Sequence, residues 1–246
     1  MNPIVLIPAR LAARRLPDKP LAEIGGAPMI VQVWRRAMEA GVGPVAVAAG
    51  DAAIVEAVRA AGGQAVLTDP LLPSGSDRIV QALERLDPSG AHDAVINLQG
   101  DMPFVGPEIL RACAQLLARE PACDIATVVA PETGPADRSS PDVVKAILAL
   151  AADGLSGRAL YFTRSTLWGE GPVWRHIGIY GYRREALLRF NAAPPSPLER
   201  RENLEQLRAL ELGLTLWVAV VGAAPISVDT PADLAAARAY ARERSR

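Results

Sequence analysis

The sequence predicts an α/β fold in which helices cover both faces of a mostly parallel sheet, giving three layers, with a smaller β-rich lobe. Short, nearly continuous apolar runs alternate with helical patterns from the N-terminus to about residue 130. Beyond that point, strand-like runs follow one another without long helices between them. The chain has 246 residues, half of them hydrophobic, which is enough for a large domain with a sizeable core.

The first half of the chain supplies the predicted parallel sheet. Its strands are apolar runs, and its helices begin and end at residues that commonly cap helices, such as Asp51 and Gly41. The predicted strands are Ile4–Ile7, Val45–Ala49, Gln64–Thr68, Ala94–Leu98 and Ile125–Val129. The predicted helices are Pro28–Ala40, 51–60, Ser76–Leu86 and Pro107–Arg119.

The second half predicts a β-rich lobe at about residues 131–196 inside a single domain, 1–246. No internal repeat or low-complexity linker separates the two halves, so we expect one folded unit. The predicted strands of the lobe are Val143–Leu150, Ala159–Arg164 and Val173–Tyr182. The segments predicted after it are a helix Pro197–Leu210, a strand Thr215–Val220 and a helix Pro231–Arg244.

Composition restricts the possible function classes. The net charge is −1, from 26 basic and 27 acidic side chains, which gives no support for nucleic-acid binding. The N-terminus resembles no signal peptide, and no apolar stretch approaches the roughly 18 residues of a membrane span. We therefore expect a cytoplasmic protein with no membrane segment. Cys113 and Cys123 are expected to be reduced core thiols, and no Cys/His cluster has zinc spacing.

A cationic loop follows the first strand directly. Arg10, Arg14, Arg15 and Lys19 lie within ten residues of each other, and three prolines restrict the loop. Such a density of like charge is self-repulsive unless an anion lies among them, and a triphosphate is a natural partner. The glycine-rich patterns of P-loops and dinucleotide-binding folds are absent. The alternative is a solvated basic loop that pairs with acids elsewhere.

Two carboxylates, Asp101 and Asp229, each follow an apolar run at a position suited to a hard cation. Alternatively, Asp101 is a turn residue and Asp229 a helix cap. Asp233, in the first helical turn after Asp229, is interpreted as an acid that complements the helix dipole. Ser74 and Gly75 precede a helix, where they expose backbone N–H groups or act as an ordinary cap.

Four separated motifs carry a family resemblance. The segment from Pro8 to Leu21 has the pattern P-A-R-x-x-x-x-R-L-P-x-K-P-L, and S-G-S-D-R, N-L-Q-G-D-M-P and V-D-T-P-A-D-L follow in order. Together they resemble the sugar-acid cytidylyltransferases, and most closely those acting on 3-deoxy-manno-octulosonate (Kdo). The resemblance implies a Rossmann-like nucleotidyltransferase fold. It also implies a CTP site formed by Pro8, Ala9, Arg10, Arg15, Lys19, Ser74, Gly75, Arg78, Gln99 and Asp101.

The same resemblance assigns a metal and a sugar site. Asp101 and Asp229 would share Mg²⁺, and with Arg15 and Lys19 they would form the catalytic set. The later motifs H-I-G-I-Y-G-Y-R, from His176, and S-P-L-E-R-R-E-N-L-E-Q-L, from Ser196, resemble the Kdo group in particular. The sugar site implied is Gln99, Arg164, His176, Tyr180, Glu205 and Gln206. By period two, His176, Gly178 and Tyr180 share one strand face.

The implied reaction is transfer of CMP from CTP to Kdo, releasing pyrophosphate and activating Kdo for lipopolysaccharide synthesis. A homodimer joined through the β-rich lobe is also expected from the resemblance. Three positions depart from the family pattern: Ala13 where Ser is common, Arg14 in place of a small polar residue, and Met102 where Glu is frequent. Two alternatives remain: a cytidylyltransferase for amino-Kdo or a sialic-acid-like sugar, and a non-catalytic nucleotide-sensing module.

Overall fold

The computed structural model of the chain describes residues 1–12, 15–132 and 134–244. The departures from the family pattern at Ala13 and Arg14 lie outside the described residues. The chain forms two compact units: Asn2–Leu110 together with Pro225–Arg246, and Arg111–Ala224. The second unit extends beyond the predicted lobe of 131–196 on both sides.

The first unit is built on four parallel strands, which confirms four of the five strands predicted for the parallel sheet; the fifth, Ile125–Val129, lies in the second unit. The strands are β1 (Pro3–Ala9), β4 (Val45–Ala49), β5 (Gln64–Leu67) and β6 (Ala94–Leu98). They lie in the order β5-β4-β1-β6. β1 is central and buried almost throughout, because its apolar residues face packed helices on either side of the pleat.

The helices of this unit begin and end close to their predicted positions. They are α1 (Met29–Ala40), α2 (Ala52–Ala60), α3 (Gly75–Leu86), the start of α4 (Pro107–Arg119) and α9 (Pro231–Arg244). Gly41 ends α1 at φ 62°, the left-handed conformation that glycine adopts without strain. Sequence reasoning missed a short 3-10 helix, Lys19–Leu21, and a two-residue hairpin, β2 (Glu23–Ile24) with β3 (Ala27–Pro28).

The second unit is rich in antiparallel pairing. Its strands are β7 (Ile125–Glu132), β8 (Lys145–Leu150), β9 (Ser156–Thr163), β10 (Val173–Arg183) and β11 (Leu216–Val220). They lie in the order β10-β7-β11-β9-β8, and β8 also pairs with β10, so the five strands form a closed ring. The pair β7–β11 is parallel, while the other pairs of the ring are antiparallel.

The helices of the second unit correct one prediction. The single helix predicted at Pro197–Leu210 is wrong: α7 (Pro197–Glu202) and α8 (Gln206–Glu211) are separated by Asn203, which lies in the left-handed region at φ 54°. Asparagine tolerates that conformation better than most residues, so the helix ends there without a glycine. Two helices were not predicted, α5 (Pro135–Ser139) and α6 (Arg184–Ala192).

Both cysteines, Cys113 and Cys123, are buried free thiols, as predicted. Burial raises the pKa of both, that of Cys123 to about 12, so neither is a reactive thiolate at neutral pH. Among the described residues, no helix combines the length and the apolar character needed to cross a membrane.

Candidate active site

A cavity of about 820 Å³ opens in the first unit where β1 and β6 end and α3 begins. The carboxyl ends of parallel strands are the usual place for ligands in open α/β sheets. Of the ten residues predicted to bind CTP, Arg15 alone is not in its lining. Ala12, Pro20 and Gly100 line it as well, although the sequence analysis did not single them out. The lining residues are Pro8, Ala9, Arg10, Ala12, Lys19, Pro20, Ser74, Gly75, Arg78, Gln99, Gly100 and Asp101.

Two glycines allow the segments around the cavity to approach closely. A Cβ at Gly100 would lie 3.0 Å from the carbonyl oxygen of Pro8, and a Cβ at Gly75 would lie 3.4 Å from Pro8 Cγ. The first distance is tighter than an ordinary contact, so a side chain at position 100 would displace the end of β1. The Q-G-D motif therefore uses its glycine to bring Asp101 beside Pro8.

Arg78 is a buried cation at the cavity wall, with 2% of its surface exposed. Its Nη1 donates to Thr68 Oγ1 at 2.5 Å and to the Asp69 carbonyl at 3.0 Å. Nη2 is buried and has no hydrogen-bond partner among the described residues. Burial, and then the neighbouring charge of Arg10, lower the pKa of Arg78. A buried guanidinium with one unsatisfied nitrogen is suited to receive an anionic ligand.

The backbone at Gly50 makes room for this pair of cations, and sequence reasoning missed it. A Cβ at Gly50 would lie 2.8 Å from Arg78 Nη1 and 3.2 Å from Arg10 Cβ. The next residue, Asp51, accepts a hydrogen bond at 2.8 Å from the backbone N–H of Leu11 and so holds the cationic loop. The Gly-Asp pair after β4 was the only local signal for these roles.

The N-terminus of α3 faces the cavity through Gly75. The Ser74 hydroxyl accepts from the Asp77 backbone N–H at 3.1 Å and donates to Asp77 Oδ2 at 2.6 Å. This hydroxyl is therefore engaged in capping the helix. The contribution of this segment to a ligand comes from its backbone, since the first turn of a helix presents N–H groups that favour anions.

Asp101 and Asp229 meet around one ammonium group. Lys19 Nζ lies 3.3 Å from Asp101 Oδ2 and 3.1 Å from Asp229 Oδ1. Arg15 Nη2 lies 3.4 Å from the same Asp229 oxygen, which places Arg15 beside the acids. The backbone N–H of Val228 donates to the Asp101 carbonyl at 2.9 Å and joins the two segments directly. The four residues predicted to be catalytic thus form one cluster.

The donor set of this cluster suits a hard divalent cation. Asp101 Oδ1 is buried and has no hydrogen-bond partner among the described residues. Burial raises the pKa of Asp101, the charge of Lys19 lowers it, and the charge of Asp229 raises it. The described part of the chain holds no cluster of three or more acidic, His or Cys ligands. Two carboxylates with substrate phosphates and water are nonetheless a usual ligand set for Mg²⁺.

Asp233 lies in the first turn of α9, where it was interpreted as an acid that complements the helix dipole, and it also caps the helix. Its Oδ2 accepts from the backbone N–H of Thr230 at 2.8 Å, and Thr230 Oγ1 accepts from the Asp233 backbone N–H at 3.2 Å. Burial raises the pKa of Asp233, but these hydrogen bonds outweigh it and the net pKa is lowered. This reciprocal cap fixes the start of α9 and leaves Asp229 to face Lys19.

In the second unit, His176 and Tyr180 lie side by side with ring centroids 5.4 Å apart. A bulge between Ile177 and Tyr180 shifts the register, yet Ile177 and Ile179 are buried while His176, Gly178 and Tyr180 are half-buried, as predicted. Burial lowers the pKa of His176 to about 3, so the ring is neutral at pH 7. Burial and then the charge of Glu205 raise the pKa of Tyr180, which places Glu205 near this pair.

The other predicted sugar residues are distributed more widely. Gln206 is 6% exposed, and its buried Nε2 has no hydrogen-bond partner within the described ranges. Arg164 follows β9, and its Nη1 donates to the Pro141 carbonyl at 2.9 Å. Gln99 lies in the cavity of the first unit, where its Nε2 donates to Asn97 Oδ1 at 3.3 Å.

Comparison with known proteins gives these sites a family. Residues 4–216 match the cytidylyltransferase family. The chain is 59% identical over 245 residues to a 3-deoxy-manno-octulosonate cytidylyltransferase of Parvibaculum lavamentivorans, covering 99% of this chain and 94% of that one. A protein of the same name from Rhodospirillum centenum is also 59% identical over 245 residues, with 99% and 95% covered. The chain belongs to the 3-deoxy-manno-octulosonate cytidylyltransferase family.

A solved structure shares the same fold. It is a CMP:2-keto-3-deoxy-manno-octonic acid synthetase in complex with CTP, with a TM-score of 0.91 and 36% identity, and it covers 99% of this chain and 100% of that one. The predicted Rossmann-like nucleotidyltransferase fold is therefore confirmed. This cytidylyltransferase is an enzyme of the nucleotidyltransferase class, as the sequence motifs indicated.

Proposed function

We propose that this cytidylyltransferase transfers CMP from CTP to Kdo, releasing pyrophosphate and giving CMP-Kdo for lipopolysaccharide synthesis. The observation that carries the proposal is the cluster in which Lys19 joins Asp101 and Asp229 at the rim of the cavity. A metal-binding pair of acids beside a cation-lined cavity matches the needs of a nucleoside triphosphate. Its relatives of the same family name support Kdo as the acceptor.

The proposed reaction is an attack of the anomeric hydroxyl of Kdo on the α-phosphorus of CTP. The new oxygen–phosphorus bond forms as the bond to the β-phosphate bridge breaks, and pyrophosphate leaves. Arg10, Arg15 and Lys19 offset the charge of the triphosphate and of the leaving group. The neutral His176 and the hydroxyl of Tyr180 offer hydrogen bonds to the sugar hydroxyls, which cost about 1–3 kcal/mol each if buried without partners.

Asp101 and Asp229 are the residues that would hold Mg²⁺. When bound, the ion would neutralise phosphate charge and lower the pKa of a hydroxyl group bound to it. The unpaired Oδ1 of Asp101 supports this assignment, because a buried carboxylate oxygen without a donor is costly unless a ligand satisfies it.

Location and assembly belong to the same proposal. We infer a homodimer joined through the β-rich unit, as the family resemblance implies, and a cytoplasmic location, as the sequence predicts. Exposed apolar side chains on that unit, among them Leu160 and Trp168, are consistent with a covered surface. Light scattering after size exclusion measures the mass directly, and a monomer at working concentration would contradict this part.

The test of the function is incubation of the purified chain with CTP, Mg²⁺ and Kdo, followed by detection of CMP-Kdo by mass spectrometry. Parallel reactions replace Kdo by amino-Kdo or a sialic acid, and one contains a chelator. We expect the highest kcat/KM with Kdo and no product without divalent metal. A preference for another acid sugar would overturn the Kdo assignment, and CTP binding without turnover on any sugar would indicate a sensing module.

A further inference from the structure

Lys145 is a fully buried lysine at the first position of β8, with 0% of its surface exposed. Its Nζ donates to the carbonyl oxygens of Ser140 and Arg164, each at 2.8 Å. Burial of an ammonium group costs several kcal/mol unless it is well paired, so a lysine here requires an explanation. The proposed reaction gives Lys145 no part in the chemistry.

The backbone of Arg164 is held on both sides. Its carbonyl accepts from Lys145, and its N–H donates to Glu202 Oε2 at 3.0 Å. The same Glu202 oxygen accepts from the Thr163 hydroxyl at 3.1 Å, and Thr163 Oγ1 accepts from the Ser165 N–H at 3.0 Å. Residues from β8 and α7 thus fix the turn that carries the Arg164 side chain.

Lys145 also fixes the far end of that side chain. The Arg164 guanidinium donates to the carbonyl of Pro141 at 2.9 Å, and the preceding residue, Ser140, accepts from Lys145. Lys145 therefore contacts the Arg164 backbone directly, and through Ser140 it also holds the segment that binds the Arg164 guanidinium at Pro141. Burial and then the charge of Arg164 lower the pKa of Lys145, while the charge of Glu202 raises it.

We infer that Lys145 and Glu202 are positioning residues that set the Arg164 guanidinium for the carboxylate of the acid sugar. This inference rests on the proposed function and on the family resemblance, which puts Arg164 in the sugar site, where its guanidinium can meet that carboxylate. A guanidinium binds a carboxylate through two parallel hydrogen bonds, and this geometry tolerates little rotation. Neither positioning residue touches the substrate; each acts through Arg164.

The decisive experiment is a double-mutant cycle of Lys145→Met and Arg164→Ala, with KM measured separately for Kdo and for CTP. Lys145→Met is expected to raise KM for Kdo by roughly tenfold to 100-fold and to leave KM for CTP within about twofold. The double variant is expected to match Arg164→Ala alone, since Lys145 has nothing left to position. Additive effects, or an equal rise in KM for CTP, would overturn the inference.

Glu202 provides a second cycle that does not depend on the folding of Lys145→Met. Glu202→Ala removes the acceptor for the Arg164 N–H, whereas Glu202→Gln keeps one carbonyl oxygen. We expect Glu202→Ala to raise KM for Kdo, Glu202→Gln to restore much of the loss, and Glu202→Ala with Arg164→Ala to match Arg164→Ala. A Glu202→Ala variant with unchanged KM for Kdo would contradict the assignment.

Leu187→Ala is the matched control for loss of stability. Leu187 is fully buried on α6 and makes none of the hydrogen bonds around Arg164. The Leu187→Ala variant should have a lower melting temperature and an unchanged KM for Kdo. If its KM for Kdo rose as much as that of Lys145→Met, loss of stability alone would explain the rise in both variants, and the inference would be overturned.

Amide hydrogen exchange separates this inference from the proposed function. The Arg164 N–H should exchange faster in Lys145→Met than in the wild type, and faster than in Leu187→Ala. An unchanged rate overturns the positioning role whatever the substrate is. Failure of the wild type to form CMP-Kdo, with faster exchange in Lys145→Met, overturns the proposed function and with it the assignment of the sugar carboxylate to Arg164.

Discussion

Lys19 and Asp229 are 210 residues apart in the chain, and their side chains form an ion pair of 3.1 Å. Lys19 also reaches Asp101, so three segments of the first unit meet at one charged point. The pairing places the cationic loop against the acids, and the acids in turn beside the cavity. The activity of such a site depends on the charge of each of these three side chains.

Asp101→Asn and Asp229→Asn should each lower kcat by roughly 100-fold or more, because each removes a carboxylate that would hold the Mg²⁺ that neutralises phosphate charge. The fold should remain, since both amides keep the size of the side chain. Pyrophosphate release measures the rate, and circular dichroism checks the fold. Asp153→Asn, at an exposed turn of the second unit, is the control. A near-normal rate in either variant would remove that acid from the metal site.

Asp101→Asn should also change how stability depends on pH. Burial raises the folded-state pKa of Asp101 above the unfolded value of about 3.9. The stabilisation that this carboxyl contributes to the folded state is therefore fully present below the unfolded pKa and is lost as pH rises through the folded pKa. At pH 7 the variant should be at least as stable as the wild type, with the advantage shrinking toward pH 4. Urea unfolding at several pH values measures this, and a clearly less stable variant at pH 7 would show that pairing with Lys19 dominates.

Gly100→Ala and Gly75→Ala form a matched pair at the cavity floor. The new methyl at position 100 meets a backbone oxygen at 3.0 Å, so we expect a loss of about 1 kcal/mol and weaker CTP binding. The methyl at position 75 makes an ordinary contact at 3.4 Å and lies in a helix, where alanine is favoured, so stability should be kept. Thermal melts and calorimetric titration with CTP compare them. Equal effects would mean that the approach of Pro8 to Gly100 is not tight.

The buried parallel strands were predictable because their own residue pattern identifies them, without knowledge of the strands with which they pair. Val45–Ala49 and Ala94–Leu98 have the same bounds in the sequence prediction and in the structure. Both faces of such a strand are covered, so the whole run is apolar and ends abruptly at polar or glycine residues. The site segments were predictable for a related reason, since polar motifs that follow such strands lie at one edge of the sheet.

The features that could not be predicted from the sequence are those that depend on contacts between residues distant in the chain. The break at Asn203 has no glycine or proline to mark it, and the helices on either side are joined by the ion pair of Glu199 with Arg208. The partners of Arg164 and Arg15 are likewise distant in the chain. Residue type indicated that these arginines bind anions or acceptors, but the choice of acceptor depends on which loops the fold brings together.

Glu199→Ala should lower the free energy of unfolding by about 3 kcal/mol, because it leaves a buried guanidinium without its bidentate partner. Arg208 Nη2 lies 2.6 Å from Glu199 Oε1 and its Nε lies 2.8 Å from Oε2, with 8% of the arginine side chain exposed. Glu185→Ala, on the exposed face of α6, should change stability by less than about 0.5 kcal/mol. Similar losses in both variants would contradict the role of the pair.

The same ion pair should make stability fall in acid. Burial raises the pKa of Glu199, but the hydrogen bonds from Arg208 and the Ser196 N–H outweigh it, and the net pKa is lowered. Its contribution is therefore present above the unfolded pKa of about 4.3 and is lost as pH falls through the folded value. The wild type should lose more stability than Glu199→Ala between pH 5 and pH 3, and parallel slopes would contradict this.

His176 should remain neutral, with its proton on Nε2, across the range in which a free histidine titrates. Thr127 Oγ1 donates its one proton to the Ile179 carbonyl at 2.8 Å, so at 2.9 Å it must accept from His176 Nε2. Burial lowers the pKa of the ring to about 3. Nitrogen NMR of ring-labelled protein should show the Nε2–H tautomer unchanged from pH 8 to pH 5. In Thr127→Val, which lacks the acceptor for Nε2–H, the Nδ1–H tautomer should also be populated.

The chain has two histidines, so His92→Gln leaves His176 as the single ring signal. Because the unfolded ring protonates near pH 6.5, stability should begin to fall below that pH, and His176→Gln should remove this part of the slope. A neutral ring that donates from Nε2 has Nδ1 as its remaining acceptor, which suits a sugar hydroxyl donor and not a carboxylate. A midpoint near 6.5 for His176 would instead mean that the ring is solvated and charged at mildly acid pH, and would contradict its role as a neutral hydrogen-bonding partner of the sugar.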